Sequence, residues 1–103
     1  MALELRPNCE SCDRDLPPAS LDARICTYEC TFCAECVDDV LLNVCPNCGG
    51  GFTPRPIRPA RMWREGLSLE RQPASELRRS LSFSVSEIRQ FSEQLKDIPP
   101  ANR

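Results

Sequence analysis

The first periodic pattern in the chain lies between two groups of cysteines. Apolar residues at Val37, Val40, Leu41 and Val44 are spaced as on one face of a helix. Two aspartates directly after Val37 suit the first helical turn, where the helix dipole favours negative charge. The pattern predicts one short helix over residues 37–44.

A second helical pattern lies near the C-terminal end. Ser84 and Glu87 have the spacing of a capping box, in which each side chain satisfies a backbone amide at the helix start. Four apolar residues share one face of this helix: Val85, Ile88, Phe91 and Leu95. The pattern predicts an amphipathic helix over 84–98 that packs on its own module, frays in solution or binds a partner, and a disordered end over 99–103.

The segment between the two helical patterns predicts a largely extended linker over 53–83. Its first part is rich in proline, and arginine recurs there at every third position. A polyproline II helix has three residues per turn, so these arginines would share one edge. The strip consists of Arg55, Arg58, Arg61 and Arg64. Two interpretations stay open, namely a solvated spacer and a basic strip that grips an acidic surface or the phosphates of a nucleic acid.

The cysteines explain how so short an N-terminal segment can fold. Residues 1–52 can bury only a modest core, and chains of this size usually require disulfides or metal ions. All eight cysteines lie within the first 48 residues, in four pairs separated by two or three residues. Two thiolates so close in sequence can reach one ion, so four pairs supply two tetrahedral four-cysteine sites. The pattern predicts two Zn2+ ions per chain.

Other cysteine chemistries agree less well with the sequence. Four disulfides would need an oxidising compartment, and the chain begins without a secretory signal. Cys45-Pro-Asn-Cys48 has the spacing of a redox dithiol, but such motifs open a helix and three glycines follow here. An iron–sulfur site is chemically compatible with eight thiols. Without a signal or a long apolar segment, we expect a cytoplasmic protein with no membrane contact.

The spacing of the cysteines alone does not determine which pairs bind the same ion. In a crossed scheme the first and third pairs share one ion, and the second and fourth pairs share the other. In a sequential scheme the first four cysteines bind one ion and the last four bind the other. Both schemes give each ion four thiolates, which is the usual number in a structural zinc site.

The order and spacing of the cysteines resemble the RING finger family. Cys30-Thr-Phe-Cys33 matches that family's ligand-x-Phe-Cys step, and Cys45-Pro-Asn-Cys48 matches its Cys-Pro-x-Cys close. The resemblance covers residues 9–52 and implies the crossed scheme. The implied site 1 consists of Cys9, Cys12, Cys33 and Cys36. The implied site 2 consists of Cys26, Cys30, Cys45 and Cys48.

Three positions depart from the RING pattern. The fourth ligand of that family is usually His, and here it is Cys30 in a chain that contains no histidine. Ser11 and Gly49 stand where an apolar and a basic residue usually grip a ubiquitin-conjugating enzyme. The RING-type ubiquitin ligase activity that the resemblance implies is therefore the third hypothesis for function.

A longer part of the chain is similar to a family of small bacterial proteins of unknown function. This resemblance covers residues 1–58 and implies a bacterial host, but no activity. Four segments carry it: Leu3-Glu-Leu-Arg-Pro-Asn-Cys9, Glu29-Cys-Thr-Phe-Cys-Ala-Glu-Cys36, Asn47-Cys-Gly-Gly-Gly-Phe52 and Arg55-Pro-Ile-Arg58.

The functional hypotheses can be ranked by the charge of the chain and by its lack of catalytic residues. Residues 1–51 carry three arginines against nine acidic residues, so the cysteine module is a poor phosphate binder. No histidine and no phosphate-binding loop is present, which argues against an enzyme and against a small-molecule substrate. The first hypothesis is a non-catalytic zinc-binding module that mediates protein–protein interaction. The second is a zinc-dependent nucleic-acid-binding or transcription-associated protein.

Together the patterns predict a small α+β domain over residues 1–52, stabilised by zinc in a RING-like cross-brace of two four-cysteine sites with one short helix. A partly ordered tail follows it, made of the linker, the amphipathic helix and the disordered end. The partner, the pathway and the oligomeric state do not follow from the sequence.

Overall fold

A three-stranded antiparallel sheet lies at the centre of the N-terminal half in the computed structural model, which describes residues 2–103. Its strands are β1 (Ala23–Ile25), β2 (Thr31–Cys33) and β3 (Thr53–Pro54), in the order β2-β1-β3. Arg24 of β1 pairs with Phe32 on one side and with Pro54 on the other. With short helices beside this sheet, the prediction of a small α+β domain is confirmed.

Helical structure begins directly after β2. The helix α1 (Ala34–Cys36) continues as a π-helical turn over Val37–Leu41. The helical structure over 34–41 therefore begins and ends three residues earlier than the predicted helix, 37–44. Leu42 and Asn43 have φ angles of 53° and 60°, and this left-handed backbone ends a right-handed helix.

The core lies between the sheet, the helical turn and the cysteines. Leu16, Phe32 and Leu41 are fully buried there, and the Phe32 ring meets Phe52 edge-on with ring centroids 5.3 Å apart. Val40 was predicted on the buried face, yet it is 46% exposed. The π-helical turn explains the difference, because its i→i+5 hydrogen bonds rotate successive side chains away from the spacing of an α-helix.

The C-terminal helix α2 (Val85–Leu95) packs on the N-terminal half. Its predicted capping box is confirmed, since Ser84 Oγ accepts from the Glu87 amide at 3.1 Å and the Glu87 carboxylate accepts from the Ser84 amide at 2.9 Å. Ile88 of α2 is buried in the core. Gly49 has φ 81°, and a Cβ there would lie 3.3 Å from a methyl of Leu95. None of the helices in residues 2–103 has the length and apolar character that crossing a membrane requires.

Long-range hydrogen bonds hold the linker against the N-terminal half. The Asn8 side chain donates to the Arg79 carbonyl at 2.8 Å and accepts from the Arg79 amide at 3.1 Å. The amide of Leu81 donates to the carbonyl of Glu10 at 3.0 Å. The division of the chain into a module, a linker and a helix stays a prediction, but these three parts are in contact.

The last residues, predicted as a disordered end, form a 3-10 turn over Pro100–Asn102. The Arg103 guanidinium donates to the carbonyls of Asn43 at 2.9 Å and Gly49 at 3.0 Å. The C-terminal residue is therefore tied to the same loop that carries the last two cysteines.

Loss of the helix cap should destabilise the docked α2 helix. We expect Ser84→Ala to lower the free energy of unfolding by about 1 kcal/mol, because one orphan amide of the first turn loses its acceptor. Ser86→Ala is the matched control, since Ser86 is exposed in the same turn and caps nothing. Urea denaturation of the metal-loaded protein measures both variants, and equal midpoints would show that the cap does not support this helix.

Candidate metal centre

The first cysteine cluster draws its members from three parts of the chain. Cys9 and Cys12 lie in a turn, Cys33 ends β2 and Cys36 ends α1. Their four sulfur atoms all lie within 4.8 Å of one another. Three of the cysteines are buried, and Cys12 is exposed. The structure therefore brings together the four residues of predicted site 1.

The second cluster contains the other four cysteines. The sulfur atoms of Cys26, Cys45 and Cys48 lie within 4.8 Å of one another. The Cys30 thiol interacts with those of Cys26 and Cys45 but is not within 4.8 Å of all three. Asn47, which the sequence analysis did not single out, donates to Cys30 Sγ at 3.5 Å. The crossed grouping of the cysteine pairs is confirmed, and the sequential grouping is wrong.

Two of the cysteine pairs lie on turns of the same design. In the first, the Asp13 amide donates to the Cys9 carbonyl at 2.8 Å, and in the second the Gly49 amide donates to the Cys45 carbonyl at 2.7 Å. Asp13 and Gly49 each follow the second cysteine of their pair and are left-handed, with φ 64° and 81°. Asp tolerates this conformation better than most side chains. An Asp or a Gly directly after the second cysteine is therefore a sequence signal for this turn, which the cysteine spacing alone did not reveal.

Backbone amides point at sulfur atoms in both clusters. A hydrogen bond donated to sulfur favours its charged thiolate form, which is the form that binds metal. The turns thus prepare the ligands for a cation. Three such contacts are Cys12 N to Cys9 Sγ at 3.5 Å, Tyr28 N to Cys26 Sγ at 3.3 Å and Gly50 N to Cys48 Sγ at 3.4 Å.

Sulfur–sulfur distance separates metal ligation from disulfide bonding. Cys12 Sγ and Cys33 Sγ are 3.8 Å apart. Zinc–sulfur bonds of about 2.3 Å in a tetrahedron place the sulfur atoms about 3.8 Å apart, whereas a disulfide bond measures about 2.05 Å. All eight cysteines are free thiols. The geometry of the first cluster therefore fits a tetrahedral ion and does not fit a disulfide.

Four of the eight cysteine thiols resist ionisation when no cation is present. Burial raises the pKa values of Cys9, Cys30, Cys36 and Cys45, and at least one neighbouring cysteine thiol raises each of them further. At the exposed Cys12, burial acts in the same direction, but hydrogen bonds from the Arg14 amide and neighbouring thiols prevail and lower its pKa. A bound dication reverses this balance because it stabilises adjacent thiolates. Metal binding should accordingly release protons from the clusters.

Each cluster offers four thiols, a donor set that suits Zn2+, iron–sulfur clusters and other soft metals. Cys9, Cys12, Cys33 and Cys36 would hold one ion. Cys26, Cys30, Cys45 and Cys48 would hold the other, after a small movement of Cys30. The chain thus carries two cysteine clusters placed to bind metal.

The four arginines of the predicted strip do not share one exposed edge. Arg55 is only 4% exposed and donates to the carbonyls of Arg6, Leu16 and Pro17. The Arg58 guanidinium donates to the carbonyls of Leu3 and Gln72. Arg61 and Arg64 are exposed. The strip differs from the predicted geometry because backbone carbonyls, among them those of Leu3 and Leu16 in the N-terminal half, accept hydrogen bonds from its first two members.

Comparisons with known proteins agree with the resemblance to a family of unknown function. Residues 2–58, which include all eight cysteines, match the family described as "Protein of unknown function (DUF1272)". "Uncharacterized protein R02474" from Rhizobium meliloti (strain 1021) is 59% identical over 76 residues, covering 74% of this chain and 83% of the relative. No solved structure matches the chain. The chain belongs to the DUF1272 family.

Proposed function

We propose that this protein is a non-catalytic module that binds two Zn2+ ions and mediates protein–protein interaction. The observation that carries the proposal is the meeting of eight thiols as two groups of four, with a sulfur–sulfur distance that fits a zinc tetrahedron. Zinc is the metal whose structural sites most often consist of four cysteines.

A structural role for both ions follows from the number of ligands. A catalytic zinc usually has three protein ligands and keeps a fourth position for water or substrate. Four thiolates per ion leave no such position. The ions would then hold the fold, and the biological activity would belong to the protein surface.

Protein interaction has more support than nucleic-acid binding. The nucleic-acid hypothesis relied on a strip of four arginines. Two of them, Arg55 and Arg58, donate hydrogen bonds to backbone carbonyls. The N-terminal half is acidic and repels phosphate. Several large apolar side chains are exposed instead, among them Trp63. Exposed aromatic residues of this kind are common anchors of protein interfaces.

Native mass spectrometry of protein purified without added zinc tests the metal assignment. We expect a mass gain that corresponds to two Zn2+ ions, which disappears under denaturing conditions while eight thiols become available for alkylation. A metal-free mass eight hydrogens below the thiol form would mean four disulfides and would refute the proposal. If the protein is coloured and contains iron and sulfide, its cysteines bind an iron–sulfur cluster and the zinc assignment is wrong.

A further inference from the structure

A closed loop over residues 59–69 projects from the linker, and we call it the arginine–tryptophan loop. The Leu69 amide donates to the Pro59 carbonyl at 2.9 Å and closes its base. Arg64 and Leu67 form an antiparallel bridge near its tip, where Gly66 adopts φ 80°. These bonds give the backbone of the loop a defined shape.

The arginine–tryptophan loop exposes apolar and basic side chains together. Trp63 is 74% exposed and Leu67 is 55% exposed. Arg61 and Arg64 lie on either side of Trp63 in the sequence, and within residues 2–103 neither forms a salt bridge. Tryptophan and arginine together dominate the binding energy of many protein interfaces. The loop also exposes one acidic residue, Glu65, so its two arginines exceed its acids by one. It therefore has the composition of a docking element for an apolar surface that carries acidic groups.

A groove of about 530 Å³ between the π-helical turn and α2 has this complementary chemistry. Val40, Phe83 and Val85 line it with apolar side chains that are 46%, 41% and 71% exposed. Asp39 lines the groove on the side of the π-helical turn, and Asp38 is exposed beside it. Within the described residues neither aspartate forms a salt bridge.

We propose that the arginine–tryptophan loop of one protomer docks in this groove of a second copy of the chain. Trp63 would cover the apolar wall, while Arg61 and Arg64 face the aspartates. Arg89 lines the groove on the α2 side, and this charge directs the incoming arginines toward the opposite, acidic edge. No residue of the loop lines the groove of its own molecule, which leaves both features available to a second copy. This inference rests on the proposed role in protein interaction and names the partner.

Two reciprocal contacts can close the assembly as a dimer. Each copy carries one loop and one groove, and a two-fold axis would use both features of both copies. We expect a dimer that dissociates at low concentration, and its exposed charge pairs make it sensitive to salt.

Sedimentation equilibrium of the full, zinc-loaded chain tests the proposal from about 5 μM to about 500 μM. We expect a monomer at the low end and a dimer at the high end. Trp63 is the chain's one tryptophan, so its fluorescence reports on the loop directly. Its emission should shift to shorter wavelength as the dimer forms, because docking removes the indole from water.

Charge reversal on each side of the contact makes the test specific. Arg61→Glu with Arg64→Glu, and separately Asp38→Lys with Asp39→Lys, should each raise the dimer dissociation constant at least about tenfold. An equimolar mixture of the two double variants should recover the dimer, because opposite charges face each other again. Glu70→Lys with Glu76→Lys is the control and should leave the constant unchanged, since both residues are exposed and belong to neither feature.

Trp63→Ser should also abolish the dimer, whereas Tyr28→Ser, at a similarly exposed aromatic residue, should not. Native mass spectra establish that each variant keeps two Zn2+ ions, so failure of the zinc assignment is distinguished from failure of the dimer. A zinc-loaded wild type that stays monomeric up to the highest concentration overturns the proposal. A monomer whose Trp63 emission shifts on anionic vesicles or on single-stranded DNA overturns it too, and assigns the loop to that ligand.

Discussion

Cys45→Ser is expected to abolish cooperative folding of the N-terminal half. Cys45 is fully buried, and its sulfur lies in the second cluster. A structural zinc site contributes about 10–16 kcal/mol to small zinc-finger folds. Whole domains are stable by only about 5–15 kcal/mol, so the loss of most of one site exceeds what the fold can tolerate. Circular dichroism should show the loss of structure, and native mass spectra should show the loss of an ion.

Val44→Ala is the matched control for this variant. Val44 is the neighbouring residue, it is equally buried, and it offers no metal ligand. We expect it to lose about 1–3 kcal/mol through packing alone and to keep both ions. If Cys45→Ser retained two ions and unfolded at the same urea concentration as Val44→Ala, Cys45 would be a packing residue and not a ligand.

Arg55→Ala is expected to lower the free energy of unfolding by about 3–5 kcal/mol. The buried guanidinium donates to the carbonyls of Arg6 at 2.8 Å, Leu16 at 3.1 Å and Pro17 at 3.1 Å. Each buried acceptor that loses its donor costs about 1–3 kcal/mol, and water that enters the space can restore part of this. Urea denaturation of the zinc-loaded protein measures the change.

Two further variants define the role of Arg55. Arg61→Ala makes the same replacement at an exposed arginine six positions later, and we expect a change within about 0.5 kcal/mol. Arg55→Lys keeps the charge but not the planar fork of donors, so its loss should fall between the two. Equal midpoints for Arg55→Ala and Arg61→Ala would mean that the three carbonyls do not depend on the guanidinium.

The grouping of the cysteines was predictable because its signal is local. A two- or three-residue spacing brings two thiols together wherever the rest of the chain goes, and the similarity to RING fingers implied the crossed arrangement. The capping box was predictable for the same reason, since Ser84 and Glu87 lie within one helical turn. Predictions of this kind depend on few neighbours and therefore hold in the complete fold.

The position of Arg55 was not predictable because its partners are remote in sequence. Periodicity placed it on one edge with Arg58, Arg61 and Arg64, but the carbonyl of Leu16 lies 39 residues away. The end of the helix before Asn43 likewise depends on two left-handed residues that the apolar pattern does not reveal. Sequence periodicity describes one element at a time, whereas burial depends on what other elements bring to it.

The paired hydrogen bonds between Asn8 and Arg79 can form only after the ribosome has synthesised all eight cysteines. These residues are 71 positions apart, whereas the last cysteine is Cys48. A ribosome adds about 5–20 residues each second, so all eight thiols emerge about 2–6 s before Arg79 does. Metal capture can precede the attachment of the C-terminal half, and the nascent chain would then close over clusters that are already loaded.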